Sequence, residues 1–243
     1  MQSKSPIEKR KLNKYDALTL LIIVVAIPLT ILFGMTFLSN RQYYFISLMI
    51  IIYTMIPFFM RFESRKPQAR ELIIIAVLTG IAVAGRAAFY MVPQFKPVIA
   101  IVIITGVCFG AQAGFLTGAM TGFVSNFFFG QGPWTPWQMF CFGIIGFIAG
   151  ILFSKGLLKK KRIPLCIYGG LSTFFIYGGL INLSNLAFFT SEFSWGSLLA
   201  TYISAFWFDM VHSFATIFFL FIFAMPFIEK LDRIKRKYGL IEG

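Results

Sequence analysis

The sequence predicts an all-α integral membrane protein of eight transmembrane helices with both termini in the cytoplasm, and three observations carry that expectation. Of the 243 residues, 58% are apolar and 13% charged, and the mean hydropathy of +0.80 lies far outside the range of a soluble domain. Apolar runs long enough to cross a hydrocarbon core of ~30 Å recur along the chain with few charges inside them. Of the 22 Lys and Arg, 19 lie before Asp16, between Arg61 and Arg70, between Lys155 and Arg162, or between Lys230 and Lys237. Each cluster flanks an apolar run, as cytoplasmic segments do under the positive-inside rule. The net charge of +13 therefore encodes topology and argues against a nucleic-acid partner.

With those clusters inside, spans fall at 16–38, 43–60, 71–91, 97–108, 112–129, 136–154, 163–188 and 199–228. An odd number of helices would move one cluster outside. The run from Ala17 to Leu38 is too long for a signal-peptide core and has no small-residue cleavage site, so it reads as a retained first helix. The span from Pro97 to Cys108 is about 12 residues and reaches roughly 18 Å. Such a segment is tolerated in a membrane only where protein or a water-filled cavity satisfies its ends, which implies a cavity on the outer side. Between the fifth and sixth spans, Gly130, Gly132 and Pro133 make a turn. Thr135, Pro136 and Gln138 then read as N-cap, N1 and N3 of a capping box, while Trp134 and Trp137 fit the interfacial aromatic belt. Cys108, Cys141 and Cys166 have no metal or disulfide spacing and read as packing residues.

Two ridges of small residues stand out. Ala76, Gly80, Ala84 and Ala88 recur every fourth position on the third helix, and Gly114, Gly118 and Gly122 do so on the fifth. Either lets another helix approach closely, within the bundle or from a partner protein. Ionisable groups inside the spans are few, namely Arg86, Asp209 and His212, and each is costly to bury unless paired or hydrated. At helical rise, Arg86 lies roughly 8 Å and Asp209 roughly 15 Å from the outer helix ends, so an Arg86–Asp209 ion pair competes with a ligand-binding role. Asp209 and His212 share a helix face, but no acid-rich cluster completes a metal site. Asn126, Asn182 and Asn185 add amides near outer helix ends. A sparse polar set among many aromatics suits a bulky, partly polar molecule.

The chain carries no phosphate-binding G-x-x-x-x-G-K-[ST] loop, no G-x-S-x-G and no H-E-x-x-H, and a single mid-membrane acid is a poor proton relay. These absences disfavour an ATPase, an enzyme and a self-sufficient pump, and no cofactor is expected. A stand-alone carrier or channel with its own repeat and an intramembrane enzyme using Asp209 and His212 are the competing readings.

The run from Ala69 to Phe153, above all "GRAAFYMVPQFKP" and "FGQGPWTPWQM", resembles the substrate-binding (S) components of energy-coupling factor (ECF) vitamin transporters, in particular the cobalamin-type subgroup. The resemblance spans Glu71 to about Ile228. It implies a six-helix S-component core, residues 63–243, preceded by an extension of two extra transmembrane helices, residues 1–62, in a bacterial cell membrane. It also implies a vitamin ligand, cobalamin or a related corrinoid first and another vitamin or precursor otherwise, with a transmembrane scaffold (T) subunit and two cytoplasmic ATPases as partners. The ridge Ala76, Gly80 and Ala84 maps onto the family's docking surface for the scaffold. The ligand site maps onto Arg86, Phe89, Tyr90, Gln94, Phe95, Lys96, Asn126, Gln131, Trp134, Trp137, Gln138, Asn182, Asn185, Asp209 and His212.

Overall fold

The computed structural model describes residues 14–37, scattered positions between 46 and 60, and residues 69–132, 134–189 and 194–238. Every regular element among them is helical. Helix α1 consists of Lys14–Leu21, a π-helical turn Ile22–Ala26 and Ile27–Phe37. There follow α2 (Ala69–Ala88), α3 (Val98–Phe109), α4 (Ala111–Phe129) and α5 (Thr135–Ser154). Helix α6 joins Arg162–Leu171, a π-helical stretch Ser172–Gly178 and Gly179–Phe189, and α7 runs 44 residues from Trp195 to Tyr238. The expected span 43–60 lies largely outside the described residues.

Five helices are long and apolar enough to cross a membrane: Ala17–Thr36, Ala69–Ala88, Thr135–Ser154, Arg162–Leu186 and Trp195–Lys237. The chain is thus a multi-pass membrane protein. Helix α3 is too short to count, and α4 carries Gln112, Thr117, Thr121, Ser125 and Asn126 between its apolar residues. Along α7, Leu199, Ile203, Trp207, Phe214 and Phe221 are more than half exposed or close to it, a surface that only a lipid or protein neighbour satisfies.

Packing centres on α3, all 12 of whose residues are buried, against α2, α4, α5 and α7. Its C-terminal end is closed by protein: the Gly110 N–H bonds the Gly106 carbonyl at 2.9 Å, and Lys235 Nζ donates to the Cys108 carbonyl at 2.6 Å. At the other end, the segment 89–97 turns inward, with Phe89 and Phe95 packed on Phe219 at 5.1 and 5.2 Å between ring centroids. Protein groups meet both ends of the short helix, and the cavity expected there is not required.

Because lipid tails are as apolar as side chains, membrane helices associate through close packing more than through hydrophobic transfer. The Gly114, Gly118 and Gly122 ridge serves that purpose inside the bundle. A Cβ on Gly118 would lie 2.5 Å from the Phe142 backbone of α5, and one on Gly146 would lie 2.5 Å from the Gly114 carbonyl. The other ridge differs: Ala76, Gly80, Ala84 and Ala88 are exposed, and nothing lies within 4 Å of a Cβ built on Gly80. Gly118→Leu should therefore lower the thermal midpoint of the purified protein, by at least the equivalent of about 1–3 kcal/mol of overpacking, while Gly80→Leu should leave it within experimental error. Equal losses would mean that both ridges pack within the bundle.

Candidate functional site

At the end of the bundle opposite the basic clusters, side chains from four helices form a continuous hydrogen-bonded relay, and a fifth helix meets it through a ring contact. Arg86, near the C-terminus of α2, donates through Nη1 to Ser125 Oγ and, at 2.7 Å, to Asn126 Oδ1 on α4. The Asn126 amide donates in turn to Thr135 Oγ1 at 3.1 Å and to Gln138 Oε1 at 2.9 Å, both on α5. Gln138 Nε2 donates to the Tyr177 hydroxyl on α6 at 3.2 Å. The Tyr177 ring lies between Phe142, stacked at 5.1 Å, and His212 of α7, edge-on at 4.7 Å. Asn126 and Tyr177 are buried, so each needs the partner it has, and His212, also buried, meets Tyr177 through its ring.

The turn before α5 is shaped by the same relay. Thr135 is the first helical residue and its hydroxyl accepts from the Gly132 N–H at 3.2 Å, while the Gln138 side chain points into the bundle. The capping box expected here does not form. Gln138 satisfies buried Asn126 and Tyr177, where a missing partner costs about 1–3 kcal/mol, more than an exposed cap contributes.

Nor do Arg86 and Asp209 pair. Asp209 Oδ2 accepts from Asn182 Nδ2 at 2.7 Å and packs so closely on Gly178 that a Cβ there would lie 2.7 Å from the carboxylate carbon. The nearby Tyr202 hydroxyl donates to the Gly179 carbonyl at 2.7 Å. The Asn182–Asp209 pair thus sits farther along the α6/α7 hairpin than the relay, and Asn185 lies one turn beyond it.

Segment 89–97 roofs the relay. Tyr90 stacks on Phe129 at 5.2 Å, and that ring also lies 5.1 Å from the Arg86 guanidinium. Phe95 inserts among Phe214, Phe218 and Phe219. Gln94 adopts a left-handed φ of 57°, and two residues on, the Lys96 Nζ folds back on the segment and donates to the Val92 carbonyl at 3.1 Å. Partial burial, and then the neighbouring Arg86 charge, hold the Lys96 ammonium below the usual lysine range.

Of the expected site residues, Arg86, Asn126, Gln138 and His212 come together, with Phe89, Tyr90, Gln94, Phe95 and Lys96 on the segment that forms the roof. Gln131 instead donates to the Phe123 carbonyl at 3.2 Å, and Trp134 lies over Gly132. Trp137 packs into the apolar cluster shared with α1, away from the relay. Sequence reasoning missed Ser125, Thr135 and Tyr177. The signal for Tyr177 was a phenol inside an apolar run, whose hydroxyl must find a partner once buried.

Apolar spans enclosing a polar relay define a multi-pass membrane protein of the transport class. The family described as ECF-type riboflavin transporter, S component, matches residues 66–211, and the chain belongs to that family. Among curated proteins, it is 26% identical over 127 residues to a UPF0397 protein of Vibrio atlanticus (strain LGP32), covering 49% of this chain and 69% of that protein. It is 29% identical over 131 residues to a UPF0397 protein of Aliivibrio salmonicida (strain LFI1238), covering 51% and 69%. No solved structure matches the chain significantly. Family membership makes it a substrate-binding subunit of an ECF transporter and implies partnership with T and ATPase subunits.

Removing the relay's centre should cost more than removing the mid-membrane acid. Asn126→Leu takes a hydrogen-bond partner from a guanidinium and should lower stability by about 2–3 kcal/mol, whereas Asp209→Asn should cost less than about 1 kcal/mol because an amide can keep the Asn182 contact. Thermal unfolding of the two variants in one detergent reads the difference, and the reverse order would place the essential pairing at Asp209.

Proposed function

We propose that the chain captures a vitamin at the outer face of the cell membrane, in the cleft of Arg86, Asn126, Gln138, Tyr177 and His212. Segment 89–97 acts as lid. Convergence of these side chains from five helices is the observation that carries the reading. Amides that both donate and accept, one guanidinium and flanking aromatic rings suit a conjugated ring system with a polar edge. Riboflavin is the first ligand to test: the matched family is described by it, and the flavin's alternating carbonyl and N–H groups complement Asn and Gln. Cobalamin or a related corrinoid is the second reading, favoured by "GRAAFYMVPQFKP" and "FGQGPWTPWQM", and the same amides complement a corrinoid's amide rim.

The proposal includes eight spans with both termini in the cytoplasm, an extension over 1–62 and a core over 63–243, supported by the basic clusters. It also includes docking of the T subunit on Ala76, Gly80 and Ala84, supported by the exposure of that ridge. Two ATPase subunits supply the energy for import.

Both ligands are coloured, so titration of the purified chain tests the reading directly. Riboflavin at micromolar concentration should bind with quenching of its fluorescence. Perturbation of the visible corrinoid band alone would transfer the assignment to cobalamin, and no response to either would sink the vitamin reading. For docking, Gly80→Leu should abolish co-purification with T and ATPase subunits while leaving the titration unchanged. Loss of both would return the ridge to a structural role.

A further inference from the structure

The relay end of the bundle holds two cationic side chains, Arg86 and Lys96, and, among the described residues, no carboxylate in contact with either. Arg86 uses only Nη1, for Ser125 and Asn126; its Nε and Nη2 have no hydrogen-bond partner among the described residues and are not sealed from solvent. These two nitrogens form one edge of the guanidinium fork, the edge that matches an oxyanion bidentately. Lys96 donates one bond to Val92, leaving donors to spare, and the residues next to the two cations in sequence touch, since a Cβ on Gly85 would lie 2.6 Å from the Pro97 ring. Asp209 is engaged with Asn182 and lies beside Gly178. Glu71, Glu229 and Asp232 belong to helix ends at the far side of the bundle.

Gathering two like charges in a partly desolvated cleft is unfavourable. A fold that keeps both there focuses a positive field on whatever enters. We propose that the ligand carries a phosphate ester, which docks on the free edge of Arg86 and on Lys96. This rests on the vitamin-binding reading above and narrows it, because it separates vitamins that share a ring system and differ in charge.

Matched ligands provide the test. Riboflavin and flavin mononucleotide differ by one phosphate. Cobinamide and cobalamin differ by the nucleotide loop that carries a phosphodiester. The full chain in detergent is titrated with all four. In the pair that binds, the phosphate-bearing member should bind at least about tenfold tighter, the scale of one charge-assisted hydrogen bond, and the preference should shrink as salt rises. Arg86→Gln and Lys96→Gln should each bring the ratio toward one. Arg86→Gln also breaks the bond to Asn126, whereas Lys96→Gln leaves the relay whole. Equal or weaker binding of the phosphate-bearing member overturns the inference while the vitamin reading stands. Binding of none of the four removes the vitamin reading and this inference with it.

Discussion

A guanidinium inside a membrane span has to be satisfied by protein, and the bundle is organised around that demand. An unpaired Arg at mid-span costs at least about 2.5–3.5 kcal/mol. Arg86 meets it through Ser125 and Asn126, but Asn126 is itself buried and needs Gln138 and Thr135, and Gln138 reaches Tyr177. One charge thereby sets the registers of α2, α4, α5 and α6 against one another. The 2.9 Å contact between Asn126 and Gln138 joins α4 to α5 near one end, and the two helices approach closely farther along. The glycine face of α4, where Gly118 rests on the Phe142 backbone, makes that approach possible. Small residues at one level and a polar chain at another are two parts of one arrangement.

The remaining elements divide the surface of the bundle. Helix α1 packs through Ile23, Ile27 and Ile31 on Phe115, Ala119, Met139 and Phe147 of α4 and α5, and Gln112 donates to Thr19 at 3.2 Å. That covers the α4/α5 side and leaves the small-residue face of α2 open. Helix α1 and the open ridge therefore occupy different faces of the bundle.

Much of this was legible from the sequence, and what was not has physical causes. The spans and the shortness of α3 follow from hydropathy and length, and α3 came within one residue of 97–108. Arg86, Asn126 and His212 stood out because polar groups in apolar runs are expensive, whereas Gln138 was read first as a capping residue. Ser125, Thr135 and Tyr177 did not, because hydroxyls and phenols are ordinary in such runs and only their neighbours give them a role. Partner choice was the hardest inference. Depth allowed Arg86 and Asp209 to meet, but depth says nothing of rotation about the helix axis, and Asp209 faces Asn182 instead. Trp137 turns away from the relay for the same reason: one face of α5 meets α1 and another the relay. The capping pattern at Thr135 was locally sound and lost to a stronger demand in the interior.

Rotation also explains the π-helical stretch Ser172–Gly178 in α6. At about 100° per residue, an unbroken α-helix would turn Asn182 roughly 220° away from Gly169. Yet Gly169 packs on Thr216 and Leu220, Thr173 bonds Thr216, and Asn182 bonds Asp209, all on α7. The wider π turns take out roughly one residue's worth of rotation, about 100°, which cuts that offset to roughly 120° and swings the distal half of α6 toward its neighbour. The stretch works as a phase corrector: it lets a straight α7 be followed by α6 past the point where ordinary helical periodicity would have carried the two out of step. It also hides that face from any search for a fixed 3.6-residue repeat.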